Sequence, residues 1–205
     1  MPLNLVCVKK VQDGSCQLVN PATGVVYHVP KDLAEEHMAL KLNPYDYTED
    51  LYLLGRVACT GEYKVLRKVM FSHDDHYGFL YEVCTLSRSH HARWRKMQGH
   101  PDSFGWSKMG SVIIDGVAYF LIDGAFLAAV VGTQAFERDC IASFDLETEQ
   151  WRPNIKGPQS IFLHNAVDVH NNHHMPNRKQ LTLANLNGSL VMVHDRLPIW
   201  IYGFW

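Results

Sequence analysis

No window of the 205-residue sequence approaches the roughly 18 consecutive apolar residues of a membrane-crossing helix. Even VAYFLIDGAFLAAVVG, Val117 to Gly132, is interrupted by Asp123 and Gly124. The short apolar run at the N-terminus precedes Lys9 and Lys10, which is the wrong order for a secretory signal. Neither sign of charge is in excess: 19 Lys and Arg stand against 21 Asp and Glu, so there is no overall basic field for a nucleic acid to meet. The five cysteines, Cys7, Cys16, Cys59, Cys84 and Cys140, are odd in number and widely spaced, with no CxxC pair. They read as reduced, buried thiols rather than a disulfide framework or a zinc ribbon. A soluble cytoplasmic or nuclear protein follows, without membrane or nucleic-acid partners.

Catalytic signatures are missing as well. There is no GxSxG elbow, and GTQAFERDC, Gly132 to Cys140, lacks the second glycine and the Lys-Ser/Thr of a phosphate loop. Helical periodicity is almost absent; only Lys31 to Leu42 reads as a short helix or a helical turn in a loop. With 47% apolar and 20% charged residues the chain nevertheless has ordinary globular composition, so it folds by some other means than helices.

What fills the sequence is hairpins. In CIASFDLETEQWRPN, Cys140 to Asn154, alternating residues run into a polar turn, and Trp151 follows on the return strand. The same arrangement recurs in CQLVNPATGVVYHVP with Tyr27 and in LYEVCTLSRSHHARWRKM with Trp94. These three aromatics read as structural positions that pack over their sheets. Asp115-Gly116 in GSVIIDGVAYFLID and Asn187-Gly188 in LTLANLNGSLVMVHD mark tight type I′ turns, and RVACTGEYKVLRKVMF turns at Gly61. Hairpin after hairpin predicts an all-β repeat architecture, a kelch-like β-propeller or partial propeller of antiparallel hairpin repeats, as a single domain over 1–205; a β-sandwich is the alternative.

LVNPATGVVYHVP, SVIIDGVAYFLI, IASFDLETEQWRPN and LANLNGSLVMVHD followed by IWI, taken in that order, resemble the kelch-like associated region that follows the F-box in plant F-box proteins. The four blocks span about Val19 to Ile201. No helical, Leu- and Pro-rich F-box pattern is recognisable ahead of Val19, so the resemblance concerns the associated region alone. It implies a non-catalytic substrate-recognition module of an SCF-type ubiquitin ligase, with a protein target and, through the ligase, a Skp adaptor and a cullin as partners. A free-standing β-propeller scaffold with no ligase role is the alternative.

Loops on such a scaffold are where targets are met. The candidate partner-binding residues are Ser72, His73, Asp74, Asp75, His76 and Tyr77; Arg88, His90, His91 and Arg93; and His170, His173 and His174 within Asn165 to Asn177. The histidine clusters raise the question of zinc, which needs three or four ligands converging from a rigid frame. Here they sit in polar loops with no cysteine pair to join them, so no metal, cofactor or catalytic residue is assigned.

Overall fold

The computed structural model describes residues 5–10, 15–40, 47–73, 76–86, 92–98, 110–122, 140–156, 181–194 and 202–203. These form an all-β chain of four antiparallel sheets built from hairpins. The strands are β1 (Val6–Lys9), β2 (Cys16–Val19), β3 (Val26–His28), β4 (Tyr47–Arg56), β5 (Tyr63–His73), β6 (His76–Leu86) and β7 (Trp94–Lys96). They continue with β8 (Ser111–Ile114), β9 (Val117–Leu121), β10 (Cys140–Asp145), β11 (Gln150–Lys156), β12 (Leu181–Leu186), β13 (Ser189–His194) and β14 (Tyr202–Gly203). The sheet orders are β1-β2-β3, β4-β5-β6-β7, β11-β10-β9-β8 and β12-β13-β14, so in every sheet each strand lies beside its neighbour in sequence. Among the described residues no helix is long and apolar enough to cross a membrane.

Turn chemistry sets these hairpins. Asp115 and Gly116 have φ of 46° and 79°, and Asn187 and Gly188 have 52° and 84°, the paired left-handed conformation of the two-residue turns that the sequence predicts. Between β2 and β3, Asn20 folds its side chain back so that Oδ1 accepts from the Ala22 N–H at 3.0 Å. Between β10 and β11, Asp145 Oδ1 accepts from the N–H groups of Glu147 and Thr148 at 2.8 and 3.1 Å. Each closes a turn locally, which is why short Asn- and Asp-containing stretches suffice to reverse the chain.

The helix expected within Lys31 to Leu42 is a single turn, α1 (Glu35–Met38). Nothing caps it through a side chain; the Ala34 N–H at its start donates instead to Glu82 Oε1 at 2.8 Å. Tertiary contact, not propensity, holds so short a helix.

The chain divides into two compact units. The first contains Met1–Ser103 with Asp115–Val117 and Asp145–Gln150. In it Cys16, Leu18, Val29 and Ala34 pack against Val65, Cys84 and Trp94, with Tyr52, Leu54 and Leu86 at the margin. The register explains the choice of face: Val65 pairs with Cys84 and Leu54, and Trp94 pairs with Cys84, so these residues share one side of β4-β5-β6-β7. In the second unit, Ile114 and Ile141 pack against Leu183, Leu190 and Met192, joined by Val112, Tyr119, Leu121 and Ile155. β10 is buried along nearly its whole length, as an interior strand covered on both faces must be.

Candidate protein-interaction surface

β5 and β6 form the longest hairpin, paired without a break from Tyr63↔Leu86 to His73↔His76. Of the first candidate group, Ser72, His73, His76 and Tyr77 therefore belong to the paired end of this hairpin and not to a free loop, with Ser72 opposite Tyr77. Val65, Arg67, Val69 and Phe71 alternate along one face of β5, and the ladder itself runs on to the tip. Asp74 and Asp75 lie outside the described residues, as do Arg88, His90, His91, His170, His173 and His174. Arg93 is exposed immediately before β7.

Midway along the same hairpin stands a buried ionic cluster that the sequence does not announce. Arg67 and Glu82 face each other across β5 and β6. Arg67 Nε–H donates to Glu82 Oε2 at 2.7 Å and its Nη2 forms a second bond to the same oxygen. The remaining donors reach the carbonyls of Lys31 and Asp32, at 3.1 and 2.8 Å. On the other carboxylate oxygen, His37 Nδ1–H donates at 2.7 Å beside the Ala34 N–H. The cation lies 4.2 Å over the Trp94 ring, and Trp94 Nε1–H donates to the Pro30 carbonyl at 2.8 Å.

Arg67 and Glu82 are only 1% and 0% exposed, a position that an ion pair tolerates only when every donor and lone pair is used. Burial alone would push the Glu82 carboxyl up. The His37 hydrogen bond, the charge of Arg67 and the Ala34 N–H outweigh that and hold it below the ordinary glutamate value. The cluster straps the Pro30 to His37 segment onto β5, β6 and β7, and its groups are committed to that task rather than presented to a ligand.

A second cluster fastens the β10–β11 turn. Lys64 Nζ donates to the Leu146 carbonyl at 2.6 Å and to Glu149 Oε1 at 2.7 Å. Arg95 grips the same carboxylate with both terminal nitrogens, at 2.7 and 2.8 Å. Burial raises the Glu149 carboxyl, but the bonds from Arg95 and Lys64 and their charges leave it below its usual range. In turn, the Glu149 bond raises Arg95. Of the basic residues around Trp94, Arg95 is therefore already engaged within the fold.

The three repeat aromatics separate. Trp94 is buried. Trp151 covers two buried rings, with centroids 5.7 Å from Phe120 and 5.0 Å from Phe144. Tyr27, expected to pack over its sheet, is 39% exposed instead, because β3 is an edge strand whose three residues all face solvent. Its neighbour Val26 completes a row with Val6 and Val19 across the sheet, and Val6, Val8 and Val26 are exposed.

The cysteines also depart from the uniform buried set that the sequence predicts. Cys16, Cys84 and Cys140 are buried, Cys7 is half-buried and Cys59 is exposed, since Cys59 sits in the β4–β5 turn and not in a strand. Burial pushes the Cys84 thiol up to about 11, against the opposing charges of Arg95 and Arg67, which suits a packing residue and not a nucleophile. Among the described residues no three His, Cys, Asp or Glu side chains converge as a metal would require. Comparison with protein-family models, with curated proteins and with solved structures finds no match to this chain.

Proposed function

We propose that the chain is a non-catalytic protein-interaction module of the kind that recognises the target in an SCF-type ubiquitin ligase, its sheets serving as the blades of a kelch-like propeller or part of one. The observation that carries this reading is the succession of sheets. All four are meanders in which every strand pairs with its sequence neighbour, the connectivity on which blade repeats are built. The placement of charge agrees with it. Arg67, Glu82, His37, Lys64 and Glu149 are spent on holding segments together, which leaves recognition to the tip of the β5–β6 hairpin and to connections between strands. The β5–β6 tip at Ser72 to Tyr77, Ser87 to His91 with Arg93, and Asn165 to Asn177 are the segments assigned to a protein target.

The test is affinity capture with the full chain from an extract of plant cells, the source that the resemblance implies, followed by mass spectrometry. Co-recovery of a Skp adaptor and a cullin is the expected result, and the proteins that accompany them are target candidates. Stoichiometric recovery of other proteins without adaptor or cullin would remove the ligase role and leave a free-standing scaffold. Recovery of nothing above a mock capture would remove the interaction module itself.

A further inference from the structure

Cys7 and Cys16 come from adjacent strands and bring their sulfurs to 2.8 Å. They are not directly opposite: Cys7 pairs with Leu18 and Cys16 with Lys9, so the two thiols meet along a diagonal of the β1–β2 ladder, on the side that carries the buried Leu18. The contact is a thiol–thiol hydrogen bond, and only a modest approach separates it from the S–S bond length of about 2.0 Å. Cys16 is 3% exposed whereas Cys7 is half-buried on an edge strand, so a small solute reaches one sulfur from solvent and finds the other directly behind it. The hydrogen bond with Cys7 first, and burial second, raise the Cys16 thiol, and oxidation of Cys7 removes the thiol partner that supplies the larger of these causes.

We propose that Cys7 and Cys16 are a modification site for peroxide, at which Cys7 is oxidised first and Cys16 resolves it to an intramolecular disulfide that fastens β1 to β2. The chemistry balances without any further reactant. The Cys7 sulfur attacks the peroxide O–O bond and becomes a sulfenic acid, releasing one water from hydrogen peroxide. The Cys16 sulfur then attacks the sulfenic sulfur, its proton leaves with the hydroxyl as a second water, and the S–S bond forms. Two thiols have lost two electrons and two protons to one peroxide. A dithiol reductant reverses the change. The product acts on the sheet edge, because β1 is the outer strand of β1-β2-β3 and gains a covalent tie to β2.

The experiment uses the full chain carrying Cys59→Ser, which removes the exposed thiol, treated with hydrogen peroxide, blocked with N-ethylmaleimide and digested with trypsin. Cleavage after Lys9 and Lys10 separates the two cysteines into Met1–Lys9 and Val11–Lys31. The expected result is these peptides joined, two hydrogens lighter than their sum, released by dithiothreitol, and absent when Cys7→Ser is added to a chain whose circular dichroism is unchanged. Both cysteines recovered as maleimide adducts after peroxide would overturn the proposal. So would Cys7 driven on to sulfinic acid with Cys16 unlinked, since a poised resolving thiol must intercept the sulfenic acid first.

Discussion

The Arg67 guanidinium lies 4.2 Å over the ring of Trp94 while donating to Glu82, so one buried cation is shared by an aromatic face and a carboxylate. Removing one member leaves the other charged and dry, and breaking a buried pair in this way costs about 3–5 kcal/mol. Glu82→Ala is therefore expected to take a large share of the stability of a domain whose total is of the order of 5–15 kcal/mol. The double replacement Arg67→Met with Glu82→Leu removes both charges and keeps the volume, and it should recover most of the loss. Urea denaturation midpoints of Glu82→Ala, of Arg67→Met and of the double decide this; equal losses in the singles and the double would mean that the pair itself, and not the orphaned charge, is what matters.

Acid should loosen the same clusters, in a direction that the carboxylates fix. Glu82 and Glu149 both titrate below the ordinary value of 4.5 in the folded chain. A depressed carboxyl contributes stability that is fully present above its unfolded value and is lost as pH falls through the folded one. The gap in denaturation midpoint between the natural chain and Glu149→Gln should thus be constant from neutral pH down to about pH 5, then shrink as pH falls below the ordinary glutamate range and Glu149 protonates in the natural chain. A gap that persists undiminished at the acid end would show that the amide fails for a reason other than charge.

Hairpins were legible in the sequence because their causes are local. Asp115-Gly116 and Asn187-Gly188 carry their turn type in two residues, and Asn20 and Asp145 close their own turns through side-chain oxygens. The ionic cluster was not, because it depends on which strands adjoin. A signal did exist: Arg67 occupies the same alternation phase as Val65 and Val69, and Glu82 the same phase as Leu80 and Cys84, so both charges fall on the buried side of their strands. Lys64 and Glu149 are 85 residues apart, and no local pattern joins them. The Cys7–Cys16 contact needs the β1–β2 register, which spacing alone does not supply. Periodicity therefore identifies the strands, and pairing determines what they do together.

The aromatics show the same limit quantitatively. Tyr27, Trp94 and Trp151 hold equivalent places after their turns, yet only the two tryptophans are covered on the inside of a sheet or by neighbouring rings. Trp151→Ala removes the ring that packs on Phe120 and Phe144 and should cost about 3–5 kcal/mol. Tyr27→Ala, on an exposed edge strand, should cost about 0.5 kcal/mol or less. Thermal denaturation of the two variants separates them, and comparable losses would mean that Tyr27 is covered in solution.

Two turn glycines offer a matched test of backbone strain against space. Gly116 and Gly188 share a positive φ, 79° and 84°, so alanine at either must enter the left-handed region at a cost of about 1 kcal/mol. Beyond that they differ. A Cβ at Gly188 meets nothing within 4 Å, whereas one at Gly116 stands 3.4 Å from the Ala58 amide nitrogen and the Arg56 carbonyl oxygen. Gly188→Ala should therefore register the strain alone, and Gly116→Ala should lose at least as much, with the excess reporting how firmly the β8–β9 turn is seated against that backbone. Denaturation midpoints that place Gly188→Ala as the more damaging would show that the Asn187-Gly188 turn packs against something in solution, and a Gly116→Ala chain as stable as the natural one would mean that the β8–β9 turn is free to adopt another conformation.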